Sequence, residues 1–256
     1  MQDRVDLNAD MGEGFGRWSL GDDAALLEIV SSANIACGLH AGDPDVMAQT
    51  MARAVARGVG IGAHPGFADL QGFGRRRIEL SQETLGNLVR YQLGAAQGIA
   101  RGAGGAVRHL KLHGALANMA AEDQDLARAC YQAALSIDPE IILVVIAGTA
   151  QEAAARDLKA RIACEIFADR AYNDDATLVD RRLPGAVIHD ADQMARRVLA
   201  MLEAGAIVAQ SGKRIATRID TVCVHGDTPS AVDLARSLRL ALKEAGVTVR
   251  AFDGGH

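Results

Sequence analysis

Segments with the look of strands and of helices alternate seven or eight times along this chain, and no linker, low-complexity stretch or fixed-period repeat interrupts them. That alternation restricts the fold more than any other feature. Strands spaced by helical stretches pair in parallel, because a parallel connection needs a crossover that a helix supplies. Period-2 or continuous apolar runs predict strands at 5–10, 34–37, 59–63, 107–112, 141–146, 162–167 and 221–224, with a closing strand at 247–252. Residues 141–146 are all aliphatic, as in a strand buried on both faces. Helical spacing predicts helices at 22–33, 44–57, 81–101, 122–135, 151–159, 191–204 and 229–245. Asp43-Pro44 marks one start and Gly58 its stop. One barrel domain over 1–256 is expected, with the long segments 65–77 and 168–190 as lids over its mouth.

An open doubly wound sheet alternates in the same way, so the placement of polar residues has to decide. Strand after strand ends in a polar or ionisable residue beside glycine or proline: Asp10 to Gly12, His40 to Gly42, His64-Pro65-Gly66, His113-Gly114, Asp169-Arg170 and His225-Gly226-Asp227. In a (β/α) barrel the C-terminal strand ends converge on one site, and a single ring accounts for all of them. A histidine in a turn is often just hydrogen-bonded. Four of the seven histidines at matching strand ends favour a site.

The first strand runs Asp6-Leu7-Asn8-Ala9-Asp10 into Met11-Gly12-Glu13-Gly14-Phe15-Gly16. Period 2 sends Val5, Leu7 and Ala9 to one face and Asp6, Asn8 and Asp10 to the other. By the same parity His109, Lys111 and His113 share a face, as do Glu165, Phe167 and Asp169. Lys111 is one of only four lysines, and an inward lysine would face the carboxylates of the first strand.

Composition removes several classes of function. The net charge of −5, with arginines scattered along helices, argues against a nucleic-acid partner. No run of about 18 apolar residues suggests a membrane span, and no signal-peptide layout opens the chain, so a cytoplasmic protein is expected. Cys37, Cys130, Cys164 and Cys223 form no CxxC pair, and three of them lie in apolar runs. Cys37 beside Gly38 is the one candidate nucleophile among them. P-loop, nucleophile elbow, HExxH and dinucleotide fingerprints are missing. Asp, Glu and His clusters then leave two chemistries open, a divalent metal or general acid/base work by carboxylates near neutral histidines.

Several long runs, in order, resemble one family. They are residues 6–16, Ser32 to Pro44, Gly62-Ala-His-Pro-Gly66, Gly72-Phe-Gly-Arg-Arg76, Lys111 with His113-Gly-Ala-Leu116, Glu165 to Tyr172 and Cys223-Val-His-Gly-Asp-Thr-Pro229. They resemble the LamB/YcsF family, the A components of prokaryotic 5-oxoprolinase, over essentially the whole chain. The chain departs from the family pattern with Leu112, Ala117, Asp175 and Asp180, none of them at a charged motif position.

The resemblance implies a TIM-like (β/α)7 barrel of the glycoside hydrolase/deacetylase superfamily. It also implies ATP-dependent opening of the 5-oxo-L-proline lactam to L-glutamate, together with separate B and C subunits. On that reading Asp6, Asn8, Asp10, Glu13, Lys111, His113, Glu165, Asp169, His225 and Asp227 are the catalytic candidates. Asp6, Asp10 and Glu13 would hold a metal such as magnesium or position water, His113 or His225 would move protons, and Lys111 would stabilise negative charge. Gly12, Gly14, Arg75, Arg76 and Arg170 are the candidates to hold the phosphates of ATP as co-substrate, unless a partner subunit does so. Analogy with the deacetylases makes Asp10, His40 and His64 the candidate metal ligands. The alternatives are a stand-alone metal-dependent amidase or deacetylase and a non-catalytic subunit that binds the lactam.

Overall fold

The computed structural model describes residues 2–224 and 231–255. Six parallel strands pair in chain order: β1 (Arg4–Met11), β2 (Ser32–Ala36), β3 (Gly60–His64), β4 (Val107–Lys111), β5 (Ile142–Ile146) and β6 (Ile162–Phe167). A small antiparallel hairpin, β7 (Ala206–Val208) with β8 (Arg214–Ala216), stands apart from them. Then β9 (Thr221–Val224) pairs with both β6 and β1, which closes a seven-stranded barrel. The last strand, β10 (Thr248–Val249), adds only to the start of β1.

The helices are α1 (Asp23–Leu26), α2 (Pro44–Arg57), α3 (Gln82–Gly102), α4 (Gly114–Glu122), α5 (Gln124–Ile137), α6 (Ala150–Asp157), α7 (Ala191–Ala204) and α8 (Ala231–Glu244). Their ends follow local chemistry. Asp43 caps α2 by accepting from the Asp45 and Val46 amides, and Gly58 closes it at φ 67°.

Three expectations change. The helix expected over 22–33 shrinks to α1, because the chain must extend by Ser31 to let Ser32 pair opposite Asn8 of β1. Barrel closure overrides the helical spacing there. The helix expected over 122–135 is α5, and an unexpected helix, α4, precedes it: Asp123, at φ −128°, ends α4 and caps α5 through the Asp125 and Leu126 amides. The closing strand covers two residues, and Phe252 beyond it turns in beneath the barrel.

Alternation along the strands separates two environments. Leu7, Ala9, Ile35, Ile61, Leu110, Val145 and Ile166 belong to one large apolar core with helix residues such as Met51, Val89, Leu93 and Val198. Ile142, Val144, Ala163 and Phe252 form a small separate apolar cluster. Many of the other inward positions are polar, and Asp6, Asn8, Asn34, His64, His109, Lys111, Glu165 and Thr221 are all buried there. Buried polar groups need partners, so this barrel is organised as a hydrogen-bonded column.

Candidate functional site

The column rises from the closed end in layers. Lowest is Asp6, whose carboxylate accepts from Ser31 and Ser32 at 2.7 Å each and from the Thr221 hydroxyl. Burial pushes its carboxyl up to about 6, against the hydroxyl donors that favour the charged form. Above it the Asn8 amide donates to Glu165 Oε1 at 3.0 Å and to Thr221 at 2.7 Å. The Asn34 amide in turn donates to Asn8 at 2.7 Å and to Asp10 Oδ1 at 2.9 Å. His109 Nε2 donates to Asn34 at 2.9 Å. Gly62 makes room for that ring, since a Cβ there would lie 2.0 Å from His109 Nε2.

Lys111 Nζ lies 2.9 Å from Glu165, 3.1 Å from Asp10 Oδ1, 3.3 Å from Asn8 and 3.1 Å from the Cys223 sulfur. Burial pulls the ammonium down, but Asp10 and its other neighbours outweigh it and hold the group well above the ordinary lysine value. Cys223 is a buried thiol pushed well up by that burial, so it meets Lys111 as a neutral acceptor. Cys37 is likewise buried and pushed up to about 12, which removes it as a nucleophile.

At the mouth, one potential ligand atom from each of Glu13, His40, His64 and His113 lies within 4.8 Å of every other. His64 Nδ1 lies 2.8 Å from the Lys111 carbonyl, and His113 Nε2 lies 2.8 Å from the Phe73 carbonyl. A carbonyl only accepts, so those nitrogens carry the protons and His64 Nε2 and His113 Nδ1 carry lone pairs. These two lone-pair atoms face each other at 3.0 Å. Asp10 Oδ2 is 3.3 Å from His64 Nε2, and Glu13 Oε1 is 4.0 Å from His113 Nδ1. The His40 ring stacks on His113 at 3.7 Å, and both of its nitrogens are buried without a hydrogen-bond partner. Burial, reinforced by His64, lowers His113 to about 3; burial, reinforced by His113 and His64, holds His40 well below the ordinary imidazole value. His113 and His40 are therefore neutral near neutral pH. The donor set fits a divalent cation, with backbone carbonyls fixing the tautomers as the outer partners of metal-bound histidines do.

The glycines of the motifs are what let these rings meet. A Cβ on Gly66 would lie 2.7 Å from His40 Nδ1, and one on Gly74, at φ 62°, would lie 2.8 Å from both His113 Cδ2 and His40 Cβ.

A cavity of about 710 Å³ opens over the cluster, within the range of small-molecule sites. Asp10, Glu13, His64, Lys111, His113, Arg75 and Arg170, all candidates from the sequence, line it. Asp6, Asn8 and Glu165 do not line it; they support the column from below. Asp169 is anchored through its carbonyl by the Ile188 amide at 2.8 Å and is not in the lining either. Arg76 turns away to an ion pair with Asp69, and Arg77, missed in the sequence, lines the cavity instead. The Gly12 amide is taken by Asp23 at 2.9 Å, and a Cβ on Gly14 would meet the Trp18 carbonyl at 2.8 Å. Both glycines therefore serve the turn. His225 and Asp227 lie outside the described residues. Phe67 and Asp69 are buried within 65–77. Within 168–190 Arg170, Tyr172, Ala176 and Val179 are buried, and Arg170 and Tyr172 bridge to Val187 and Leu178.

Residues that sequence reading missed include Asn34 and His109 of the column and Asn118 of α4 at the cavity wall. Parity sets His109 inward with Lys111 without giving it a role, and α4 begins at His113 without a side-chain cap, so spacing alone gives it no start.

Comparison with known proteins follows the same lines. Over 250 residues the chain is 66% identical to the 5-oxoprolinase A subunit of Ruegeria pomeroyi, covering 98% of this chain and 99% of that one. Its identity to the 5-oxoprolinase A subunit of Rhodopseudomonas palustris (strain BisB5) is 54%, with 97% and 98% covered. The crystal structure of the lactam utilization protein from Thermus thermophilus superposes with a TM-score of 0.91 at 44% identity, over 97% of this chain and all of that one. A structure of T48 deacetylase with substrate shares the fold at a TM-score of 0.52 and 17% identity, over 98% and 89% of the two chains. The LamB/YcsF family matches over residues 5–255, and the chain belongs to that family.

Proposed function

We propose that this protein is the lactam-opening subunit of an ATP-dependent 5-oxoprolinase, hydrolysing 5-oxo-L-proline to L-glutamate in the cytoplasm, where ATP is at hand, with separate B and C subunits. The observation that carries the reading is the buried cluster of Glu13, His40, His64 and His113 opening onto the cavity beside Asp10. The names of the relatives, the 5-oxoprolinase A subunit and the lactam utilization protein, point to the amide it acts on.

Three imidazoles and a carboxylate suit zinc or a related transition metal better than magnesium, which prefers oxygen ligands. Glu13, His40, His64 and His113 would hold that ion, with Asp10 against His64. When bound, the ion would polarise the amide carbonyl and lower the pKa of water.

Opening the ring breaks the C–N bond and forms a C–O bond to water, whose two protons end on the new amine and on a base. Asp10, which lines the cavity beside the cluster, is the acceptor for the first of those protons. Lys111 has three protons for four acceptors, so its part is to keep Asp10 ionised and aimed. Asn34, oriented by His109, holds the same Asp10 oxygen. His113, with one nitrogen on the Phe73 carbonyl and the other in the cluster, is a ligand on this reading and not a proton carrier.

A lactam is resonance-stabilised, and ATP would overcome this by transferring its γ-phosphoryl group to the carbonyl oxygen with release of ADP; water then adds to that carbon, the C–N bond breaks to leave an acyl phosphate, and a second water releases inorganic phosphate. The amides of Gly12 and Gly16 are already given to Asp23 and Asp43, which favours the binding of ATP on a partner subunit. The test is glutamate release from 5-oxoproline, with and without ATP, by this chain alone and mixed with candidate B and C subunits. Release only from the ATP-containing mixture is expected; release by the isolated chain without ATP would replace the reading with a stand-alone amidase.

A further inference from the structure

We propose that Arg170 is the carboxylate receptor of the cavity, selecting a lactam that bears a carboxylate over the neutral ring. The proposal rests on the lactam-opening reading and names how its substrate is held.

Arg170 is only 5% exposed, yet it lines the cavity. A buried guanidinium is normally matched by an anion, because desolvation is costly unless the charge is paired. Three other cations of the cavity have carboxylate partners: Arg77 pairs with Glu122, Arg182 with Asp180, and Lys111 with Asp10 and Glu165. Arg170 instead donates Nη2 to the neutral Val179 carbonyl at 2.7 Å, and its Nε is buried with no acceptor. Burial first, and then Arg181, bring its pKa down to about 10, with Asp169 and Tyr172 opposing. Asp10, Glu13, His64 and His113 offer acceptors in the same cavity, alongside Glu122 and Asp180, with Phe167 and Ile146 as apolar lining. A ligand that satisfies the whole cavity has a small apolar ring, a carbonyl for the histidine end and one carboxylate for the planar guanidinium fork.

The Val179 bond also lets Arg170 brace the 168–190 segment, so the test must separate a brace from a receptor. The full-length chain is titrated with 5-oxoproline, with 2-pyrrolidinone, which is the same ring without the carboxylate, and with inorganic phosphate. Wild type, Arg170→Gln and Arg170→Lys are compared, with circular dichroism confirming that each is folded. Arg170→Gln is expected to weaken 5-oxoproline at least about tenfold, as loss of one partner of a buried charge pair does. Arg170→Lys should fall between, and 2-pyrrolidinone should bind all three alike. The proposal is overturned by equal loss of both rings, by loss of neither, by no saturable binding of 5-oxoproline to wild type, or by Arg170-dependent binding of phosphate tighter than that of 5-oxoproline. Arg170-dependent binding of 5-oxoproline without ring opening under any condition would uphold the receptor and remove the hydrolase reading. Ring opening with no such dependence would do the reverse.

Discussion

Replacing Lys111 with methionine should be among the most damaging single changes in the barrel. The ammonium sits between Asp10, 3.1 Å away with its side chain 13% exposed, and Glu165, 2.9 Å away and 1% exposed. Lys111→Met keeps the volume and removes the cation that lies between these two carboxylates. Breaking a buried pair in this way costs about 3–5 kcal/mol. At roughly 2–4 °C per kcal/mol for a chain near this size, the melting midpoint should fall by about 6–20 °C. The informative comparison is with Glu165→Gln and with the double variant, in which one charge of each sign is gone and an amide replaces the carboxylate beside Asn8. Urea unfolding of the four proteins at pH 8 gives the coupling energy, expected at about 2 kcal/mol or more in favour of the double variant. Single losses that simply add, to within about 0.5 kcal/mol, would refute a central charge pair in the column.

His109 provides a pH signature. Burial, with Arg108 and Lys111, lowers its pKa from 6.5 to about 3, so the folded chain refuses a proton that the unfolded chain takes up below about 6.5. Its contribution is intact above that pH and is lost as pH falls toward 3, with a slope of up to about 1.4 kcal/mol per pH unit. His109→Gln keeps a donor for Asn34 and should flatten stability against pH between 6.5 and 4; an unchanged slope would place the acid sensitivity elsewhere. Gly66→Ala tests the packing behind the cluster. The Gln92 side chain grips the Gly66 amide at 3.0 Å and its carbonyl at 2.9 Å, so the backbone cannot retreat from a Cβ 2.7 Å from His40 Nδ1. Displacing the His40 ring should cost about 1–3 kcal/mol of stability. It should also weaken divalent-metal binding measured by calorimetry, and unchanged metal affinity would argue that His40 is not a ligand.

Period 2 along β1, β4 and β6 carried much of the site, because inward and outward faces of a closed parallel sheet differ so sharply in chemistry. Asp10, Lys111 and His113 are where that parity and the strand-end rule put them. Depth was not legible. Asp6, Asn8 and Asp10 share a face, but only the register of β1 against β2 and β9 reveals that Asp6 lies at the closed end among Ser31, Ser32 and Thr221, and only Asp10 reaches the cavity. The same limit applies to the arginine run. Nothing local says that Asp69 captures Arg76 and that Arg75 and Arg77 face the cavity, because the 65–77 segment folds through tertiary contacts. The metal set shows both sides. Analogy with the deacetylases points to His40 and His64, whereas the convergence of Glu13 and His113 on them depends on Gly66 and Gly74, whose missing side chains make room for the rings. A helix such as α4, alanine-rich and begun at His113 without a side-chain cap, carries too weak a start signal to be placed from spacing alone.

The most direct test of the central claim is the number of divalent ions held per chain, by elemental analysis after equilibrium dialysis against zinc and against manganese, for wild type and His40→Ala. About one tightly held ion is expected for wild type and near-complete loss in His40→Ala with the fold retained, because His40 has no hydrogen-bond partner to lose. No ion bound by wild type, or the same ion content in His40→Ala, would contradict that claim.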